Sequence, residues 1–172
     1  GMKSSGALLA VSDNMPEPVA RLLRQVQQES HATARDAAAS TARRQPAIQL
    51  LACRRLASSR ETLTSLINIE QPEPIQIAAV GALTSYSDPM VGTILLDGWR
   101  EYAPAVRKEV VDAMFARTER ALQFLEAAQQ GRASVAQVDA TRRTLLLHHT
   151  DQRIRSLASR LFADDRTGSR QS

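Results

Sequence analysis

The histidine pair His148-His149 is the first place where this sequence could bind a metal ion. Adjacent residues of a helix point about 100° apart, so the pair lacks the four-residue spacing of a helical zinc clamp. Asp151 is the one acidic residue placed close enough to help. We therefore interpret the histidines as the end of a helix, near the negative end of its dipole, and expect neither a metal nor another cofactor.

Three arginine pairs, at 43/44, 54/55 and 142/143, could contact phosphates or acidic proteins. The formal net charge of +4 and a pI near 10.0 permit such partners without requiring them. However, residues 43–60 hold five arginines and no acid, whereas residues 61–102 hold six acids and one arginine. A phosphate track needs continuous positive charge, so nucleic-acid binding is only the alternative to a protein partner. The candidate interaction residues from these pairs are Arg54, Arg55, Arg142 and Arg143.

Trp99 and Tyr102 are the other candidate interaction residues. Exposed together, they would form a binding hot spot, because large aromatic side chains carry much of the energy of protein interfaces. The alternative is that they pack one helical hairpin onto the next. The single cysteine, Cys53, excludes an internal disulfide and replaces an apolar residue of a helical stripe, so we predict a buried thiol.

Catalytic motifs are absent from the sequence. There is no G-x-S-x-G, no H-E-x-x-H and no glycine-rich phosphate loop. The acids are scattered, with Glu70 and Glu73 in a predicted loop and Glu126 and Asp139 on separate predicted helices. We therefore predict that this chain is not an enzyme.

The elements that would position these residues are helices, and the clearest pair lies between Pro74 and Trp99. A helical stripe recurs in four predicted helices, each following a proline or a turn-prone pair such as Pro46 or Thr150-Asp151. Four matching stripes indicate an internal repeat of helical hairpins. The four stripes are Ile48, Ala52, Cys53 and Leu56; Ile75, Ala79, Val80 and Leu83; Val106, Val110, Val111 and Met114; and Ile154, Ala158, Ser159 and Phe162.

Further helices lie between these copies. Ser58 and Glu61 form a predicted capping box, Asp88 and Pro89 begin the next helix, and Thr118 begins a helix that Gly131 ends. Ser134 is predicted to cap an additional helix that ends near Leu147 and uses Val138 and the run Leu145–Leu147 as its apolar side. Near the N-terminus, one apolar face is predicted from Val19, Leu22, Leu23 and Val26.

The sequence thus predicts an all-α fold, an α-α superhelix of about eight or nine helices. Residues 15–163 are predicted to form a single domain, after a loosely ordered start at 1–14 and before a polar tail at 164–172. Whether residues 15–44 form one helix or two, with a break near Ser30, stays open. No run reaches the roughly 20 apolar residues of a membrane-spanning helix.

The hairpin series resembles HEAT-like repeats. The residues that carry the resemblance are D-x-x-[IV]-R at Asp151, Ile154 and Arg155, and P-A-V-R at Pro104–Arg107. A closer resemblance covers residues 45–163 and includes PEPIQIAAVGAL, SDPMVGTILLDGWREYAPAVRKEVVDAMFAR and TRRTLLLHHTDQRIRSLASRLF. These strings are similar to the HEAT-like region of large planctomycete and verrucomicrobial proteins of the membrane-bound dehydrogenase-like, haem-binding type.

In those proteins the region lies between a sugar-dehydrogenase-like propeller and a cytochrome c domain. The resemblance implies a non-catalytic scaffold or protein-interaction module, which serves as a spacer or docking segment of a larger exported redox protein. It implies a periplasmic or exported location. It carries no catalytic residue over to this chain, because one cysteine cannot supply the C-x-x-C-H site of a cytochrome c.

Overall fold

The computed structural model describes residues 16–168, with side chains up to residue 163. Over this range it contains nine α-helices, one short 3-10 helix and no strand, which confirms an all-α fold of helical hairpins. The helices are α1 (Glu17–Arg35), α2 (Thr41–Ala52), α3 (Leu56–Leu66), α4 (Glu73–Thr84), α5 (Met90–Asp97), α6 (Pro104–Phe115), α7 (Thr118–Gln129), α8 (Ala140–Leu147) and α9 (Gln152–Gly168), with the 3-10 helix at Val135–Gln137.

The chain divides into two compact units, with the boundary between Asp88 and Pro89. In the first unit, α2 packs between α1 and α4, and α3 packs against α4. In the second, α7 contacts α5, α6 and α9, while α8 lies against α9. The predicted hairpin from Pro74 to Trp99 spans this boundary, so its two helices belong to different units. A single domain over residues 15–163 stays a prediction.

A side chain at the fourth position of five helices, α2, α4, α6, α8 and α9, donates a hydrogen bond to a carbonyl oxygen in the loop before that helix or, for α2, at the end of α1. Arg44 Nε donates to Ala34 O (2.9 Å) and Gln76 Nε2 donates to Gln71 O (2.8 Å). The equivalent donors in α6 and α9 are Arg107, to Trp99 O and Arg100 O (3.1 and 2.8 Å), and Arg155, to His149 O and Thr150 O (2.5 and 2.7 Å).

This shared contact has a geometric cause. Side chains on a helix tilt toward its N-terminus, so a long polar group in the first turn lies over the preceding connection. Carbonyl groups in such a connection have no helical partner and need a donor. Arg107 and Arg155 thus each hold the turn that precedes their own helix.

The predicted apolar register is confirmed in α4 and α6, where all eight stripe residues are fully buried. In α9, Ile154, Ala158 and Phe162 are buried, but Ser159 is exposed. The stripe of the first copy was placed wrongly. The buried residues of α2 are Arg44, Ala47, Ile48 and Leu51, which align with Gln76, Ala79, Val80 and Leu83 of α4.

The error had a local source at Pro46, which was interpreted as a turn before the first copy. Pro46 lies inside α2, which begins five residues earlier at Thr41. Helix α2 ends at Ala52, so Cys53 is its C-cap and is exposed, and the prediction of a buried thiol was wrong. Leu56 belongs to α3.

The N-terminal segment forms two helices, and the break lies at Asp36–Ser40 rather than near Ser30. Ser30 is instead buried within α1, where its hydroxyl donates to Val26 O (2.7 Å). The predicted inner face of this helix is largely exposed: Val19 is 46%, Leu22 59% and Val26 39% accessible. The buried side of α1 carries small residues instead, such as Ala20 and Ala34.

Helix starts were predicted less well than helix bodies. The Ser58–Glu61 capping box does not begin a helix, because α3 starts at Leu56, and α5 starts at Met90 with Pro89 as its N-cap. Ser134 caps only the 3-10 helix, whereas Asp139 caps α8. Helix α7 begins at Thr118 as predicted, and Gly131 follows its C-cap with a φ of 69°.

Both chain ends contain predictions that the structure does not describe. The loosely ordered start at 1–14 and the last residues of the predicted tail, 169–172, lie outside the described residues. The backbone of α9 continues to Gly168, beyond the predicted domain end at 163. Among the described residues, no helix is both long and apolar enough to cross a membrane.

Candidate functional site

An open groove of about 480 Å³ lies within the second unit, beside the start of α7. One wall comes from the end of α6 and the first turn of α7, and the other from α8 and the loop after it. We call this surface the α7–α8 groove. It is lined by Phe115, Arg117, Thr118, Ala121, Arg142, Leu145, Leu146, His148, His149 and Thr150.

An aromatic cluster holds the first wall. The ring of Phe115 meets that of Phe124 edge to face, with centroids 5.3 Å apart, and Phe124 meets Trp99 in the same way at 5.5 Å. Phe124 is fully buried, which anchors Phe115 at the groove.

Gly131 follows the C-cap of helix α7. The positive φ of Gly131 allows Arg132 N to donate to Ala127 O, in a turn that residues with a Cβ adopt only with strain.

Arginines hold the second wall. Arg142 pairs with Asp112 of α6 (2.5 Å) and with Asp139 (3.0 Å), the N-cap of its own helix. Arg143, at the fourth position of α8, donates to Val138 O and Val135 O at 3.0 and 3.1 Å. Its guanidinium also lies 4.9 Å from the centre of the Phe162 ring. These two candidate interaction residues therefore fasten α8 in place.

The histidine pair belongs to the groove, at the C-terminal end of α8. A carbonyl oxygen can only accept, so His148 Nδ1 donates to Thr144 O (2.9 Å). A backbone amide can only donate, so His149 Nδ1 accepts from Asp151 N (3.0 Å), which places the His149 proton on Nε2. This matches the interpretation of a helix-end pair. Within residues 16–163, no three His, Cys, Asp or Glu side chains converge as metal ligands.

Arg117 is the uncompensated charge of the groove. It is the N-cap of α7, and its guanidinium has no hydrogen bond or ion pair with any described residue. None of the lining residues is acidic. The first amides of α7 also lack helical partners and place a partial positive charge at this wall. Among the lining residues of the α7 side, Arg117 is therefore the charge that no described residue compensates.

Trp99 and Tyr102 do not form an exposed pair. Each is only 4% accessible, and burial raises the pKa of Tyr102 to about 12. A Cβ on Gly98 would lie 2.6 Å from atoms of the Tyr102 ring, so the ring packs directly on the glycine backbone. These aromatic residues support the second unit from within, which is the alternative that the sequence left open.

Arg54 and Arg55 lie in the first unit, apart from the groove residues along the chain. Arg54 is half-buried and donates to Gln27 Oε1 of α1, whereas Arg55 is exposed as the N-cap of α3. Of the six candidate residues, the structure thus brings only Arg142 to the groove surface, while Arg143 supports the groove from behind α8. The prediction missed Arg117, Phe115 and Leu145. A usable signal for Leu145 existed, because three consecutive leucines on one helix cannot all face inward.

No protein-family model, curated protein or solved structure matches this chain. The HEAT-like resemblance therefore rests on the sequence motifs alone.

Proposed function

We propose that the chain is a non-catalytic, HEAT-like scaffold or protein-interaction module. The observation that carries this proposal is the α7–α8 groove, which is open, apolar at Phe115 and Leu145, and charged at Arg117. A surface of this kind suits side chains of another protein, because bound peptides combine apolar anchors with a few polar contacts. Repeats of helical hairpins commonly present such surfaces for binding.

The resemblance of residues 45–163 supports a more specific role, as a spacer or docking segment of a larger exported redox protein. In that role the chain holds other domains and carries no redox centre itself. The first test is the natural coding sequence on either side of these residues. We expect a C-x-x-C-H haem-attachment site downstream, and a neighbouring sequence without a redox domain would refute this role.

The second test is direct binding. Each neighbouring domain is expressed separately and titrated into the full 172-residue chain by isothermal titration calorimetry. We expect micromolar affinity for at least one domain, equivalent to about −8 kcal/mol. If none of the neighbouring domains binds, the chain is not their docking segment.

Nucleic-acid binding is the rival, and the exposed Arg43, Arg55 and Arg60 are what favours it. Against it, Arg44 is buried, and Arg142 and Arg143 already engage acids or carbonyl oxygens of this chain. Titration of duplex DNA at two salt concentrations separates the two functions, since phosphate contacts weaken steeply as salt rises. Salt-sensitive binding at micromolar protein would favour the rival.

A further inference from the structure

We propose that the α7–α8 groove binds an acidic peptide segment in which carboxylates flank a bulky apolar side chain. The inference rests on the proposed interaction function and names the chemistry of the partner. It assigns Arg117 to a carboxylate of the peptide and places the apolar anchor between Phe115 and Leu145.

The assignment of the carboxylate follows from which cations are already neutralised. Arg142 is compensated by Asp112 and Asp139, so it contributes little net charge. Arg117 has no such partner among the described residues, and it lies at the start of α7, the positive end of the helix dipole. A carboxylate at this wall would gain a charge-assisted hydrogen bond and a favourable interaction with the helix dipole.

At the opposite wall, the carbonyl oxygens that could repel an acid already accept hydrogen bonds. The C-terminal end of α8 would present bare carbonyl oxygens there, but His148 donates to Thr144 O and covers one of them. Leu146 O is also covered, because it accepts from His148 N and His149 N. With no acidic residue in the lining, the groove is complementary to negative charge.

The apolar part of the assignment follows from Leu145. Its side chain is 64% accessible, although the neighbouring Leu146 is buried and α8 contacts α9. Together with Phe115 it offers apolar surface on both walls, which a leucine or phenylalanine of a peptide would cover. A nucleic acid would leave this apolar surface uncovered and would find in the groove one guanidinium without a described partner, so the observations favour a peptide.

The test uses the full chain and a short fluorescein-labelled peptide that alternates Glu and Leu, followed by fluorescence anisotropy. Two companion peptides replace Glu with Gln, or Leu with Ser. Arg117→Gln and Leu145→Gln alter the groove, whereas Arg132→Gln and Met90→Gln are controls at exposed sites of the same unit.

We expect the Glu-Leu peptide to bind, and each groove variant to weaken it about tenfold, as the loss of one charged or apolar contact predicts. The control variants should stay within about twofold, since surface contacts away from the site contribute little. The Gln and Ser peptides should bind more weakly to the unaltered chain.

Three outcomes would overturn the assignment. The first is that the Glu-Leu peptide does not bind. The second is that the groove variants and the control variants lose the same amount of affinity. The third is that the Ser peptide and duplex DNA bind as tightly as the Glu-Leu peptide. Failure here would leave calorimetric binding of a neighbouring domain intact, through another surface. If instead no neighbouring domain binds in the calorimetric titration but the peptide does, the docking role is rejected and the groove remains assigned as a peptide-binding site.

Discussion

Replacing Arg44 with Met tests the contact that the fourth-position side chains share. Arg44 is 3% accessible and has no acidic partner among its hydrogen bonds. Its Nε donates to Ala34 O at 2.9 Å, and its Nη2 donates to Gln71 Oε1 at 2.6 Å. One guanidinium thus joins the end of α1 to the loop before α4.

The magnitude follows from these two bonds. A hydrogen bond from a charged group contributes about 1.5–3 kcal/mol, so losing both would cost about 3–6 kcal/mol. Removing a buried charge also recovers part of its desolvation penalty. Methionine fills the space of the arginine stem, so no large cavity forms. We therefore expect the free energy of unfolding to fall by about 2–4 kcal/mol.

The assay is urea unfolding followed by circular dichroism at the helical signal. Arg43→Met is the matched control, because Arg43 is the preceding residue of the same helix but is exposed. We expect the control to change the free energy of unfolding by less than about 0.5 kcal/mol. If Arg44→Met matched the control, the shared donor contact would contribute nothing to stability, and this explanation of the repeat would be wrong.

Three further predictions concern stability. Ala79→Asp buries an unpaired carboxylate in α4 and should cost several kcal/mol in urea unfolding; a parent-like midpoint would contradict the register. Gly81→Ala should raise the free energy of unfolding by about 0.5–1 kcal/mol, because Gly81 is exposed within α4 with open space around it. Gly131→Ala should lower the free energy of unfolding, because the φ of 69° at Gly131 strains a residue with a Cβ. Burial, aided by the charges of Arg35 and Arg54, lowers the pKa of His31 below 6.5. The unfolded chain is then protonated first as pH falls, so the free energy of unfolding should decrease below about pH 6.5. His31→Gln should reduce this decrease when urea midpoints are compared across this pH range.

The helices of the middle of the chain could be predicted because local pattern and tertiary packing agree there. Ile75 to Leu83 and Val106 to Met114 follow prolines at the helix start, and each stripe is buried. In α2 the same rule failed. Pro46 lies in the helix interior, where proline removes a backbone donor and usually marks a boundary.

The groove could not be predicted, because it depends on which side chains remain unpaired after folding. In sequence, Arg117 and Arg142 are equivalent basic residues. Only the fold places Asp112 of α6 beside Arg142 and leaves Arg117 without a partner among the described residues. The same holds for Val19 and Leu22, whose helical spacing predicts an apolar face but not whether another element covers it.

The most direct test of the proposed interaction function is an amide chemical-shift titration of the ¹⁵N-labelled chain with the Glu-Leu peptide. We predict that the largest shifts cluster at Phe115–Thr118 and Leu145–Thr150, and that Arg117→Gln moves the midpoint of the titration to an about tenfold higher peptide concentration. Shifts centred on the exposed arginines 43, 55 and 60, or unchanged in the Arg117 variant, would contradict the assignment of the groove as the binding surface.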